Sequence, residues 1–301
     1  MLGIFLLTLR ELRAKWIVVG LFVVATLIWG TMALALQLDV VDGSLAGARL
    51  FGQQAELGLE QTLRDDEGNV VLDENGEAVT ERAEPEFGGS LLEDFVIGSQ
   101  IFVAGAAYWV GILLALFATG GLVASLQTRG EIDLLLSKPL SRSQILGGRL
   151  AGVGAVTLGL IVYLIGAVWL VMSLKTGIWN VRFLLAIPVI WSMFMVLYSI
   201  VTLMSVWTGS SALSLMVVLA VLFASLILAI PELDTQVSRT WRPLVIGLRH
   251  ALPRFPNVGV QMVPQLATGD AVGALSAFAS SIGIGVTLYA LAFWRFARRD
   301  F

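Results

Sequence analysis

Residues 183–231 read FLLAIPVIWSMFMVLYSIVTLMSVWTGSSALSLMVVLAVLFASLILAIP, 49 positions without one charged side chain. About 20 helical residues cross the roughly 30 Å hydrocarbon layer of a membrane. The stretch is therefore too long for one crossing and about long enough for two. The small, polar cluster Thr208-Gly209-Ser210-Ser211 divides it into 183–207 and 212–230.

The same arithmetic applied outward finds four more uncharged stretches: Trp16–Leu36, Phe95–Thr128, Leu150–Leu174 and Ala271–Trp294. The reading is an all-α membrane protein with six transmembrane helices, at 16–36, 95–126, 148–174, 183–207, 212–230 and 271–294. An even number of crossings puts both termini on one side. Composition agrees. Of the 301 residues 57% are hydrophobic and only 14% are charged, against about 25% charged in a typical soluble domain; mean hydropathy is +0.86. These values exclude an ordinary soluble enzyme and a disordered chain. The first apolar run exceeds the 7–15 residues of a signal-peptide core and no A-x-A-like site follows it directly, so it reads as a span.

Orientation follows from the basic residues near the helix ends. With the termini inside, the short inner segments hold Arg10, Arg13, Lys15, Arg129, Lys138, Arg142, Arg149, Arg295, Arg298 and Arg299, and the other nine basic residues are spread over longer outer loops. Fifteen of the 22 acidic residues fall between Asp39 and Asp94, in what becomes the first outer loop, 37–94. There, Ala46–Leu63 has the pattern of an amphipathic helix. Asn69–Thr80 reads as a β-hairpin about Asn75-Gly76. Asp73, Asn75, Glu77 and Glu84 count like a calcium loop, but Ala78 stands where that loop needs glycine, which favours a solvated acidic hairpin.

The outer loop 231–270 holds five prolines and a short apolar stretch, Leu244–Leu252, that suits a partly buried or re-entrant helix. Its Arg239, Arg242, Arg249, His250 and Arg254 are candidates for contact with substrate or lipid phosphates; the plainer alternative is interfacial anchoring with Trp241. Before the first span, residues 1–15 set Leu2, Phe5, Leu6, Leu9 and Leu12 at helical spacing among Arg10, Glu11 and Lys15, the pattern of a helix lying in the membrane interface. Gly148 with Gly152, and Ala279 with Gly283, are small pairs at helix-packing spacing, within the bundle or across a dimer.

The remaining inner segment, 129–145, combines Ile132 and Leu134–Leu136 with charges of both signs. Pro139 then ends one helix and Ser141 is placed to cap the next. This is a surface a soluble partner can grip, although a helix that only joins two spans has the same pattern. Gly130-x-x-Asp133-Leu134-Leu135-Leu136-Ser137-Lys138-Pro139-Leu140-Ser141-Arg142 resembles the Gly-Thr-x-Glu-x-Leu-Leu-x-x-Pro-x-x-Arg signature of ABC-2-type transporter permeases. Glu131 stands where the signature has Thr, and Gln127 and Thr128 where acidic residues are usual. The likeness extends to the helix before the first span, to the Thr208–Ser211 turn, to the proline-containing loop before the last span, and to the ending Phe296-Ala297-Arg298-Arg299-Asp300-Phe301.

The resemblance implies a permease subunit in a bacterial cytoplasmic (inner) membrane, pairing with a second permease copy or homologue and with two ABC ATPase subunits, export being the common direction. It also implies that Arg129, Gly130, Glu131, Ile132, Asp133, Leu134, Leu135, Leu136, Ser137, Lys138, Pro139 and Arg142 form a coupling helix that docks on the ATPase. ATP and Mg would then belong to that partner. The chain itself has no phosphate loop: Lys15, Lys138 and Lys175 follow Ala, Ser and Leu, and none completes G-x-x-x-x-G-K-[ST]. The spans hold no carboxylates of the kind proton or sodium coupling uses. No cysteine and a single histidine, His250, argue against disulfides, a thiolate site or a His-based metal site. No cofactor and no nucleic-acid partner are expected. An intramembrane enzyme is disfavoured, because H-E-x-x-H, G-x-S-x-G and paired Asp in spans are all missing. A membrane anchor or scaffold without transport is the alternative. Uncharged, aromatic-rich spans suit a lipid-like or amphipathic cargo.

Overall fold

A computed structural model of the chain describes residues 5–8, 11, 16–34, 36–41, 44–50, 53–55, 60–62, 80–82, 90–126, 141–230 and 240–298. Residues 5–8 and 11 are helical. Helix α1, Trp16–Leu34, is 19 residues long and apolar on every face. It lies on α3, Arg142–Thr176, where Phe22 stacks on Tyr163 at 4.6 Å and the Thr26 and Tyr163 hydroxyls meet at 2.9 Å.

Helix α2 runs from Leu91 to Ser125 and α3 is equally long, 35 residues each. Ser90 caps α2 by accepting from the Glu93 amide, and Glu93 and Asp94 in the first turn suit the positive end of the helix dipole. The helix therefore begins four residues ahead of the uncharged stretch. A π-type turn at Ala107–Gly111 interrupts it. Helix α4, Val181–Thr208, is the centre of the bundle and its most buried span; it packs on α2, α3, α5 (Ser211–Leu228) and α8 (Leu275–Ala297). Among the described residues, five helices, α2, α3, α4, α5 and α8, are long and apolar enough to cross a membrane, and the shorter α1 is apolar as well.

Helices α4 and α5 part at the expected place. Gly209 closes α4 at φ 70°, a left-handed conformation that favours glycine. Ser210 then opens α5 by accepting from the Leu213 amide at 3.3 Å.

Two loop expectations are corrected. The described parts of Ala46–Leu63 are strand rather than helix: they lie in β2, Ser44–Leu50, β3, Gln53–Ala55, and β4, Glu60–Thr62. Strand β2 pairs antiparallel with β1, Leu36–Val41, and with β3, and β4 pairs with β5, Thr80–Arg82. Gly47, Gly52 and Gly58 give the segment poor helix propensity, and strand pairing satisfies its backbone instead. The expected hairpin at Asn69–Thr80 lies outside the described residues except for Thr80, which opens β5.

The stretch Leu244–Leu252, up to its C-cap Leu252, falls in a helix, α6, Arg242–Ala251, but no residue of α6 is buried. The buried element is the next one, α7, a broken helix over 255–268 that sits among α2, α4 and α8. Phe255, Val258, Met262, Val263 and Leu266 are its core residues. Gly259 lets it approach Tyr108 closely, and the Tyr108 hydroxyl donates to the Phe255 carbonyl at 2.6 Å.

The small-residue pairs divide. Gly148 and Gly152 are buried in the bundle. Ala279 and Gly283 face outward, and the close helix contact on α8 is made by Gly285 against Val196.

Candidate functional site

Three regions carry the chemistry. The first is the end of the bundle where α1 starts and α8 finishes. Helix α3 begins there with a reciprocal cap: Ser141 Oγ accepts from the Gln144 amide at 3.2 Å, and Gln144 Oε1 accepts from the Ser141 amide at 3.0 Å. This frames one side of residues 127–140. Arg142, half-buried, is the first residue of α3. Arg129, Gly130, Glu131, Ile132, Asp133, Leu134, Leu135, Leu136, Ser137, Lys138 and Pro139 lie outside the described residues.

The frame's other side is the end of α2. Arg149, 2% exposed, donates from Nη2 to Ser125 Oγ at 3.3 Å and pairs through Nη1 with Glu11. Both charges lie within electrostatic reach of Tyr198, whose hydroxyl donates to the Thr119 carbonyl. Thr8 is fully buried against Gly152. Sequence reading placed Arg149 among inner basic residues and Glu11 on an interfacial helix, but did not bring them together. A cation in the second turn of an apolar helix was the available signal.

The second region is the opposite end. Arg249 Nε donates to the Leu228 carbonyl at 3.0 Å and Arg254 Nε to the Arg249 carbonyl at 3.3 Å. The Arg254 amide donates to Ser281 Oγ, and Ser225 Oγ donates to the Pro253 carbonyl. Arg249, Arg254, Ser225 and Asn257 thus share one small polar depression. Arg242 and His250 are exposed on α6, with the His250 ring against the Ile246 carbonyl, and Arg239 lies outside the described residues. Of the four described candidates, the structure joins Arg249 and Arg254. Deeper on the same side, Gln100, fully buried in α2, accepts from Asn180, which also donates to the Ala267 carbonyl. A lone amide in an apolar span was the sequence signal for this contact.

The third region is a cavity of about 70 Å³ between α1, α2, α3 and α4, lined by Leu21, Ala25, Ala115, Ile161 and Phe194 among others. Thr157 is the one polar side chain on it, and its hydroxyl is turned to the Val153 carbonyl. The cavity offers no charge and takes only apolar groups. No described cluster of acidic, His or Cys side chains forms a metal site.

Among the described residues, five long apolar helices and one shorter one are the anatomy of a multi-pass membrane protein. A family model described as ABC-2 family transporter protein matches residues 4–301. The chain belongs to the ABC-2 transporter family. It is the membrane domain, a permease subunit, of an ABC transporter, and as a transport component it is not itself the catalytic chain. ABC-2 permeases work with ABC ATPase partners. A search of curated proteins finds no match to this ABC-2 transporter protein.

Proposed function

We propose that the chain is a six-span permease that couples ATP hydrolysis on a separate ATPase to export, and that the ATPase docks on Arg129–Pro139 and Arg142. The carrying observation is the rigid frame on either side of residues 127–140. Ser125 is bonded to buried Arg149, and Ser141 opens α3 with a double cap. A push on the intervening residues is thereby delivered to two 35-residue helices.

Helix α1 serves as the sixth crossing. Its 19 residues rise about 28 Å at roughly 1.5 Å each, close to the hydrocarbon thickness of about 30 Å. A second permease copy and two ATPase chains complete the assembly, and ATP with Mg is bound on those chains. Closure of the ATPases shifts the permeases between inward-open and outward-open states. The apolar cavity among α1–α4 supports an apolar or amphipathic cargo, and Arg249 with Arg254 supports an anionic head group or lipid phosphate at the outer surface.

The test is a pull-down of the ATPase at equal membrane expression. Ile132 and Leu135 are three apart, a spacing that would put both on one face of the proposed coupling helix. Replacing both with Asp puts unpaired charge into the proposed interface at a cost of roughly 3–5 kcal/mol, more than about a hundredfold in affinity. The six spans should still insert. Undiminished recovery of the ATPase by the double variant removes this segment as the docking site.

A further inference from the structure

Two residues of the N-terminal segment meet two residues of α3 in register. Thr8 and Glu11 are three apart, as are Arg149 and Gly152, so each pair lies on one helix face. Thr8 fills the notch at Gly152, where a β-carbon would come within 2.7 Å of the Thr8 side chain. Glu11 pairs with Arg149, whose guanidinium also holds Ser125 Oγ. One buried cation therefore joins three stretches of chain: the N-terminal segment, the last residue of α2 and the second turn of α3.

A buried ion pair is a poor way to gain stability, because desolvation offsets most of the attraction, but it is sensitive to register. An apolar contact would tolerate sliding of the segment along α3. A cation with two fixed partners beside a glycine notch does not.

We propose that Arg149 is a positioning residue: with Glu11 and Ser125 it clamps the N-terminal segment to both ends of residues 127–140, so that displacement of those residues reaches α1 together with α2 and α3. This rests on the docking role proposed above. In sequence, four residues separate Glu11 from the start of α1 at Trp16, and α1 lines the apolar cavity with Leu21 and Ala25. Movement at the docking end is in this way transmitted to a wall of the cavity.

The chain has no cysteine, so labelling of the permease band in a Thr8→Cys variant reports on the clamp without background from this chain. It is made in the permease–ATPase complex in membranes, and its reaction rate with a maleimide is measured. Thr8 is fully buried, so the parent protein should react slowly. R149Q and E11Q should each raise the rate at least about tenfold, since tenfold is only about 1.4 kcal/mol and losing one partner of a buried pair costs more. The exchange E11R/R149E should restore protection. ATP hydrolysis by the complex, at equal recovered ATPase, should fall in both single variants and return in the exchange, which a purely structural role would not predict.

Protection of Thr8→Cys in both single variants overturns the clamp. Release of Thr8 with unchanged ATP hydrolysis overturns its part in transmission. Loss of ATPase recovery in the single variants would make Arg149 part of docking rather than positioning, and overturns the proposal as well. If the parent chain recovers no ATPase at all, the docking reading fails, while the labelling rates still decide the clamp.

Discussion

At Gly259 the chain has no room for a side chain. A β-carbon there would sit 2.5 Å from the Tyr108 ring, and that ring is held by its stack on Phe255 at 4.3 Å and by its hydroxyl bond to the Phe255 carbonyl. Neither ring nor backbone can yield cheaply, so Gly259→Ala should destabilise the protein by about 1–3 kcal/mol, as overpacking does. Gly105, also helical, meets nothing within 4 Å; Gly105→Ala should be neutral or stabilising, since Ala is the better helix former by roughly 0.8–1.0 kcal/mol. Thermal unfolding of the two variants in one detergent checks the contrast, and equal melting temperatures would contradict it. Nothing in the sequence separates these two glycines. What differs is whether a rigid neighbour from another part of the chain lies against the α-carbon.

At the scale of elements, start and stop signals explain most helix boundaries. Ser141 and Gln144 form the capping box of α3, and their spacing is readable directly. Ser141→Ala should cost about 1 kcal/mol and loosen the first turn of α3. Hydrogen–deuterium exchange at the Gln144 and Ile145 amides should rise, and unchanged exchange there would show that the box does not hold the frame. Gly209 and Ser210 were equally legible as the turn between α4 and α5. The buried short helix was not. Leu244–Leu252 is the more apolar-looking piece of its loop, yet α6 leaves Leu244 55% and Leu248 42% exposed. The place among the spans is taken by 255–268, which fits because of Gly259 and the acceptor at Phe255, both matters of Tyr108, which lies 147 residues from Phe255 in the chain.

At the scale of the whole molecule, large apolar side chains face outward around the bundle: Val19, Phe22 and Leu27 on α1, Phe102 and Phe117 on α2, Phe223 on α5, Val286 and Leu291 on α8. Such a surface would not remain dispersed in water and is the surface a bilayer covers. The weighted basic bias leads us to propose that the termini lie inside. Cysteines placed singly at Met1, Glu131, Gly209 and Phe301 should be shielded from an impermeant thiol reagent in intact cells, and cysteines at Gly68 and Arg249 should react. Labelling at position 301 without labelling at position 68 would invert the topology.

Features that depend on neighbours along the chain were legible from the residues alone: the apolar lengths of the spans, the turn at Gly209, the cap at Ser141, and the family signature from Gly130 to Arg142. Hydrophobic run length and capping chemistry act within a few residues, so one chain suffices to read them. It took the packed bundle to show which small residues are contacts, which loop helix is buried, and that Glu11 meets Arg149 across 138 residues. Those outcomes depend on which surfaces compete for the same space and on where a buried charge finds its partner. Packing and desolvation are set by the assembled bundle, not by the local sequence.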